Sequence, residues 1–147
     1  MRKEESGRSL IEIIGVMAIG TIMIVAGYRI YDNVNQRQTR MIASDTLEDV
    51  AKKTKLLYEL SGYPDGLNIT KLDNDGALSS TKSPIGSDWS VAKINANSFK
   101  ITVSGLSYDE CEYFKLKKTD WATNIKANTN NKCSTGSNNN SIEFTVQ

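Results

Sequence analysis

Nearly all of the contiguous apolar character of this chain lies in residues 10–28, and from residue 13 to residue 28 every position is apolar, Gly, Thr or Tyr. As a helix rising about 1.5 Å per residue, this run almost crosses a hydrocarbon core about 30 Å thick. Ile, Val and Met dominate it, and Gly15, Gly20 and Gly27 leave flat spots where another helix can approach. One acid, Glu12, sits just inside the run. A carboxylate in a membrane helix costs roughly 2–3 kcal/mol near the centre and less near an interface, so a partner is expected for it.

After Tyr28 neither Pro nor Gly appears until Gly62, while Asp32, Arg37, Arg40, Asp45, Glu48, Asp49, Lys52, Lys53 and Lys55 supply solvent-facing charge. The helix is therefore predicted to continue beyond the apolar run. Leu47, Val50, Ala51, Thr54, Leu57 and Tyr58 follow the i, i+3, i+4, i+7 rhythm of one apolar stripe, which must rest on something. Ser61, Gly62, Pro64 and Gly66 then stop the helix, with Gly suited to a left-handed cap and Pro unable to continue.

The remainder, residues 62–147, is small for a self-sufficient core, so the docked stripe and a covalent staple would both help it. Residues 62–88 read as a turn-rich loop, punctuated by Asp73-Asn74-Asp75-Gly76 and Ser83-Pro84, with little regular structure expected. Residues 89–94 and 98–103 alternate and suit an antiparallel pair joined by a turn at Asn95-Ala96-Asn97. Ser107 followed by Glu110 is a capping-box pattern opening a short helix that carries Cys111, Phe114 and Leu116 inward. Residues 121–126 form a weaker strand candidate, 128–140 a polar loop, and 142–146 a terminal strand. The two cysteines, Cys111 and Cys133, lie in this polar half and either pair, if it is extracytoplasmic, or stand as separate free thiols.

Charge is nearly balanced, with 18 basic against 17 acidic residues, so no global field recommends a nucleic-acid partner. Histidine is absent, which removes the usual general base near neutral pH and the commonest metal ligand. With no nucleophile–base pair or ligand cluster in view, no enzymatic activity, cofactor or metal is expected. Asp73-Asn74-Asp75-Gly76 invites a calcium loop, but placing Gly76 sixth puts Lys71 first and Lys82 twelfth, where acids are needed. The plain turn is preferred there. Trp89 and Trp121 are read as core residues in preference to a ligand groove.

Gly7-Arg8-Ser9-Leu10-Ile11-Glu12 meets the apolar run with a short polar leader. It resembles the class III leader of type IV prepilins and pseudopilins, in which a dedicated peptidase cuts after a Gly and methylates the new N-terminus. The resemblance places the cut after Gly7, makes Arg8 the methylated first residue and puts Glu12 at the family's fifth position. It implies that Glu12 neutralises the N-terminus of a neighbouring subunit during assembly. Arg8 stands where Phe or Met is usual, and Arg29 where many type IVa pilins have a kinking Pro. Arg2 and Lys3 keep the leader on the cytoplasmic side, with Glu4 and Glu5 counting little.

The stretch from Phe99 through Gly105-Leu106 to Cys111, and Cys133-Ser134-Thr135-Gly136, are similar to the type IVb pilin head, and this implies a Cys111–Cys133 bridge holding down the C-terminal region. The leader is short for type IVb, which leaves the subtype open. The implied fold is α+β, a long N-terminal helix packed on a small antiparallel sheet with a disulfide-bonded C-terminal region. The corresponding segments are a cleaved leader (1–7), a transmembrane and assembly half of the helix (8–28), its amphipathic half (29–61) and a globular head (62–147).

The implied function is a major pilin, with copies of itself as partners in a helical filament. The chain would be a prepilin peptidase substrate in the inner membrane, pass to the pilus assembly machinery there, and reach the cell surface as a fimbrium serving adhesion. Two alternatives are a minor pilin or type II secretion pseudopilin, and a membrane-tethered extracytoplasmic domain that never polymerises. A secretory signal peptide, cut near Val25-Ala26-Gly27, would discard Glu12 and leave its acidity without a purpose.

Overall fold

A computed structural model describes the backbone from Lys3 to Gln147 and the side chains from Leu10 onward. In chain order the elements are α1 (Lys3–Tyr58), α2 (Ile69–Asn74), β1 (Asp88–Asn95), β2 (Ser98–Leu106), α3 (Tyr108–Leu116), β3 (Asn124–Ala127) and β4 (Asn140–Val146). The layout is α+β, as the sequence predicts, and the chain divides into two compact units, Met1–Gln38 and Thr39–Gln147.

Over its described residues the first unit is part of α1. Its apolar side chains face outward; Ile11 is 73% exposed and Val16 71%. Among the described residues α1 is the one helix long and apolar enough to cross a membrane, by length and composition, and none of that apolar window is buried. A core helix of a globular fold buries such a face; this one leaves it open.

The second unit holds the core. Helix α1 stops at Tyr58 because Gly62, at φ +73°, turns its N–H back to the Tyr58 carbonyl at 2.9 Å, the left-handed closure that Gly adopts without a Cβ penalty. Leu47, Val50, Ala51, Thr54 and Tyr58 are buried as the stripe predicts. Leu57 is not, being 43% exposed. It sits one residue off the buried row, about 100° round the helix at its last turn, where no facing element covers it. Ala43 and Ser44 instead extend the stripe one turn earlier.

The sheet order is β1-β2-β4-β3 and every pairing is antiparallel. Asn95 pairs with Ser98, so the β1–β2 turn tightens to Ala96-Asn97, and the Asn95 side chain accepts from the Asn97 N–H at 2.9 Å. Alternation in β2 buries Phe99, Ile101 and Val103, and then breaks. Between Val103 and Leu106 the register against β4 shifts, and Gly105 takes φ +73°. That bulge inserts one residue and brings Leu106 to the inner face, fully buried.

Two expectations are corrected here. Residues 62–88 are not merely a loop, because Asn68 accepts from the Lys71 N–H at 2.8 Å and caps α2, whose Leu72 is completely buried. Six residues are too few for a periodic signal. Leu116 does not turn inward; it is 73% exposed at the end of α3, while Cys111 and Phe114 fill the core and Ser107 and Glu110 form the reciprocal capping box. The weaker strand candidate shifts to β3, and Trp121 lies before it, stacked on Phe144 with ring centres 5.0 Å apart. Trp89 is buried and donates its indole N–H to the Thr81 carbonyl at 2.9 Å, so both tryptophans serve packing.

Candidate functional site

The feature that demands a function is the outer face of α1 in the first unit. Glu12 is exposed, flanked by Ile11, Ile13 and Val16, and among the described residues no cation pairs with it. From Ile13 to Tyr28 there is no other charge, and Arg29 follows. A Cβ added at Gly15, Gly20 or Gly27 would meet nothing within 4 Å, so these flat spots are open to an incoming helix. Thr21 hides its hydroxyl by donating to the Met17 carbonyl at 2.6 Å, which keeps the face apolar. A carboxylate on such a face is tolerable at a wet boundary and costly once other helices cover it, unless a cation arrives with them. The expected cut after Gly7 and the methylation at Arg8 fall in the part of α1 described by its backbone alone, outside the described side chains.

In the second unit the sequence-predicted pair is brought together: Cys111 and Cys133 form a disulfide with Cα atoms 5.9 Å apart, so the free-thiol alternative is excluded. The bridge joins α3 to the loop that follows β3. That loop is held a second time by Asn140, which is fully buried. Its Nδ2 donates to the carbonyls of Leu106, Ser134 and Ser137, and its Oδ1 accepts from the Ser134 N–H at 2.6 Å and from Asn128 Nδ2 at 2.9 Å. Asn128 and Asn131 adopt positive φ, which Asn tolerates better than most side chains. The polar stretch 128–140 is thus an ordered, twice-anchored surface, and nothing in its composition announced the role of Asn140.

In the Asp73-Asn74-Asp75-Gly76 turn, Asp75 is engaged by protein partners. Asp75 accepts a hydrogen bond from the Tyr58 hydroxyl and an ion pair from Lys71 at 3.1 Å, and these two donors, Tyr58 first, hold its carboxyl below the usual range. Among the described residues no group of His, Cys, Asp or Glu is placed to hold a metal ion.

Sequence reasoning missed one further constellation. Arg40 of α1 and Lys117 after α3 both approach the Tyr113 ring, at 5.9 Å and 5.7 Å from its centre, and Lys117 also donates to the Ser44 hydroxyl at 2.7 Å. The buried Arg40 Nε has no partner. With Asp109, Glu112 and Leu116 these residues line a shallow surface groove. Arg40 and Lys117 are too far apart in sequence for any local pattern to pair them. No family model matches this chain, and no curated protein matches it.

Proposed function

We propose that this protein is the structural subunit of a type IV pilus or a closely related filament. The observation that carries the reading is Glu12, a lone exposed carboxylate near the start of an exposed apolar helix, for which the described residues offer no cation. A prepilin peptidase cuts after Gly7 and methylates the new amine at Arg8. Copies held in the inner membrane by residues 8–28 are then drawn by the assembly machinery into a bundle of α1 helices. Contact between the apolar faces holds the helices side by side, but that force is non-directional and leaves axial sliding nearly free. The charge fixes the axial position. A buried carboxylate left unpaired is strongly penalised, whereas one facing the ammonium of a neighbouring N-terminus is stabilised, so one stagger is selected. The disulfide-bonded head then covers the outside of the fibre, in keeping with a folded second unit stapled at Cys111 and Cys133.

The reading is tested by shearing filaments from cells expressing the full chain and sequencing the protein's N-terminus. A start at Arg8 supports it; a start near Tyr28, or absence from fibres, overturns it. Glu12→Ala is expected to leave a processed, stable monomer in the membrane with fibres lost, and wild-type fibre yield from that variant would remove the role given to the carboxylate.

A further inference from the structure

The head carries two surface features with no covering partner among the described residues, and they match. One is the end of α1, where Leu56 is 72% exposed and Leu60 is 102% exposed, as far out as a leucine can stand. Glu59 is exposed beside them and has no ion-pair partner among the described residues. The other is the groove where Tyr113 and exposed Leu116 sit between Arg40 and Lys117, two cations that have no carboxylate partner among the described residues. Of the two acids in the same groove, Glu112 is taken up by Lys115 at 3.5 Å, which leaves Asp109 as its one unpaired carboxylate among the described residues.

We infer that the Glu59–Leu60 corner of one copy docks into the Arg40–Tyr113–Lys117 groove of a second copy. Leu60 covers Leu116 and the Tyr113 edge, and Glu59 supplies the anion that Arg40 and Lys117 lack. Charge complementarity selects the second copy: the knob is acidic beside its leucine, and the groove, with Arg40 and Lys117 against the single unpaired carboxylate of Asp109, is net basic beside its tyrosine. Buried apolar area supplies the attraction, and the charge pair sets orientation and rejects a wrongly placed neighbour.

The two surfaces lie about 27 Å apart along α1, at about 1.5 Å per residue, on the same unit. A contact between different patches of like copies is heterologous and need not close, so it propagates into an open array. This inference rests on the filament reading above and adds to it a contact between heads, independent of Glu12.

The test compares fibre yield from cells making the full chain as wild type, Glu59→Lys, Lys117→Glu, and the two combined. Each single substitution is expected to lower sheared fibre yield by ~10-fold or more, and the combination to recover most of it, because the charges are exchanged and not removed. Retention of the Cys111–Cys133 bridge in each variant, read by intact mass without reductant, shows that the head has folded. As a second readout, Leu60→Cys with Leu116→Cys, treated on fibres with a short bis-maleimide, is expected to give a ladder of linked chains that neither single variant gives. Wild-type yield in either charge variant, failure of the exchange to rescue, or no ladder from intact fibres overturns the head contact and leaves the filament reading standing. Absence of fibres from the wild type overturns both.

Discussion

The Tyr58 hydroxyl, on the last turn of α1, donates a hydrogen bond to the carboxylate of Asp75, just past the end of α2. The link ties the short helix to the long one by a pair that titrates at both ends of the pH scale. Burial, then the bond to Asp75, raises the tyrosine from 10.0 to about 12. A raised folded value means stability that is complete below about pH 10 and lost as pH climbs through about 12. Asp75 is depressed from 3.8, chiefly by the Tyr58 bond and then by Lys71, so its contribution is complete above that pH and is lost as acid carries the solution down through its folded value. Denaturation of the full chain in detergent is expected to show both losses. Tyr58→Phe should flatten the alkaline limb and soften the acid one; an unchanged pair of limbs would refute the coupling.

Removing the bridge by Cys111→Ser with Cys133→Ser should cost the head about 3 kcal/mol, the loop-closure entropy expected for the 22-residue separation. Denaturant midpoints of the oxidised wild type and the double variant measure it directly. A difference under ~1 kcal/mol would mean that Asn140 alone holds the loop.

Asn140→Ala should cost about 1–3 kcal/mol, since it strands the buried Leu106 carbonyl and takes a partner from the part-buried Ser134 N–H and the Ser134 and Ser137 carbonyls. Hydrogen exchange should rise across residues 128–140 first. Protection unchanged there would show that the disulfide suffices.

Gly86 and Gly105 occupy positive φ in close quarters: a Cβ on Gly86 would come 2.2 Å from the Ser104 carbonyl oxygen, and one on Gly105 2.0 Å from the Ser87 Oγ. Gly86→Ala meets backbone and is expected to destabilise by more than about 2 kcal/mol, whereas Gly66→Ala, with ordinary φ and open space, should lie within about 0.5 kcal/mol of wild type. Thermal melts of the two variants side by side decide the matter.

Leu47→Ala should cost about 2–5 kcal/mol and Leu57→Ala much less, although both fit the same sequence rhythm. Equal losses would contradict the burial difference at the end of α1.

Local chemistry wrote much of this protein in its sequence. The unbroken apolar run, the absence of Pro and Gly up to Gly62 and the capping box at Ser107 act over a few residues, and α1, its stop and α3 follow from them. The strands were legible through alternation, and Glu12 stood out because one charge in a greasy helix needs no neighbour to look odd. What sequence could not settle was set by groups distant along the chain. Leu57 and Leu116 are as apolar as Leu47 and Leu106, yet only the latter pair finds a facing surface. Cys111 meets Cys133, Tyr58 meets Asp75, and Arg40 meets the Tyr113 ring that Lys117 also approaches, because the fold closes loops between them. Burial and pairing are properties of both partners at once, so no single stretch of chain contains them.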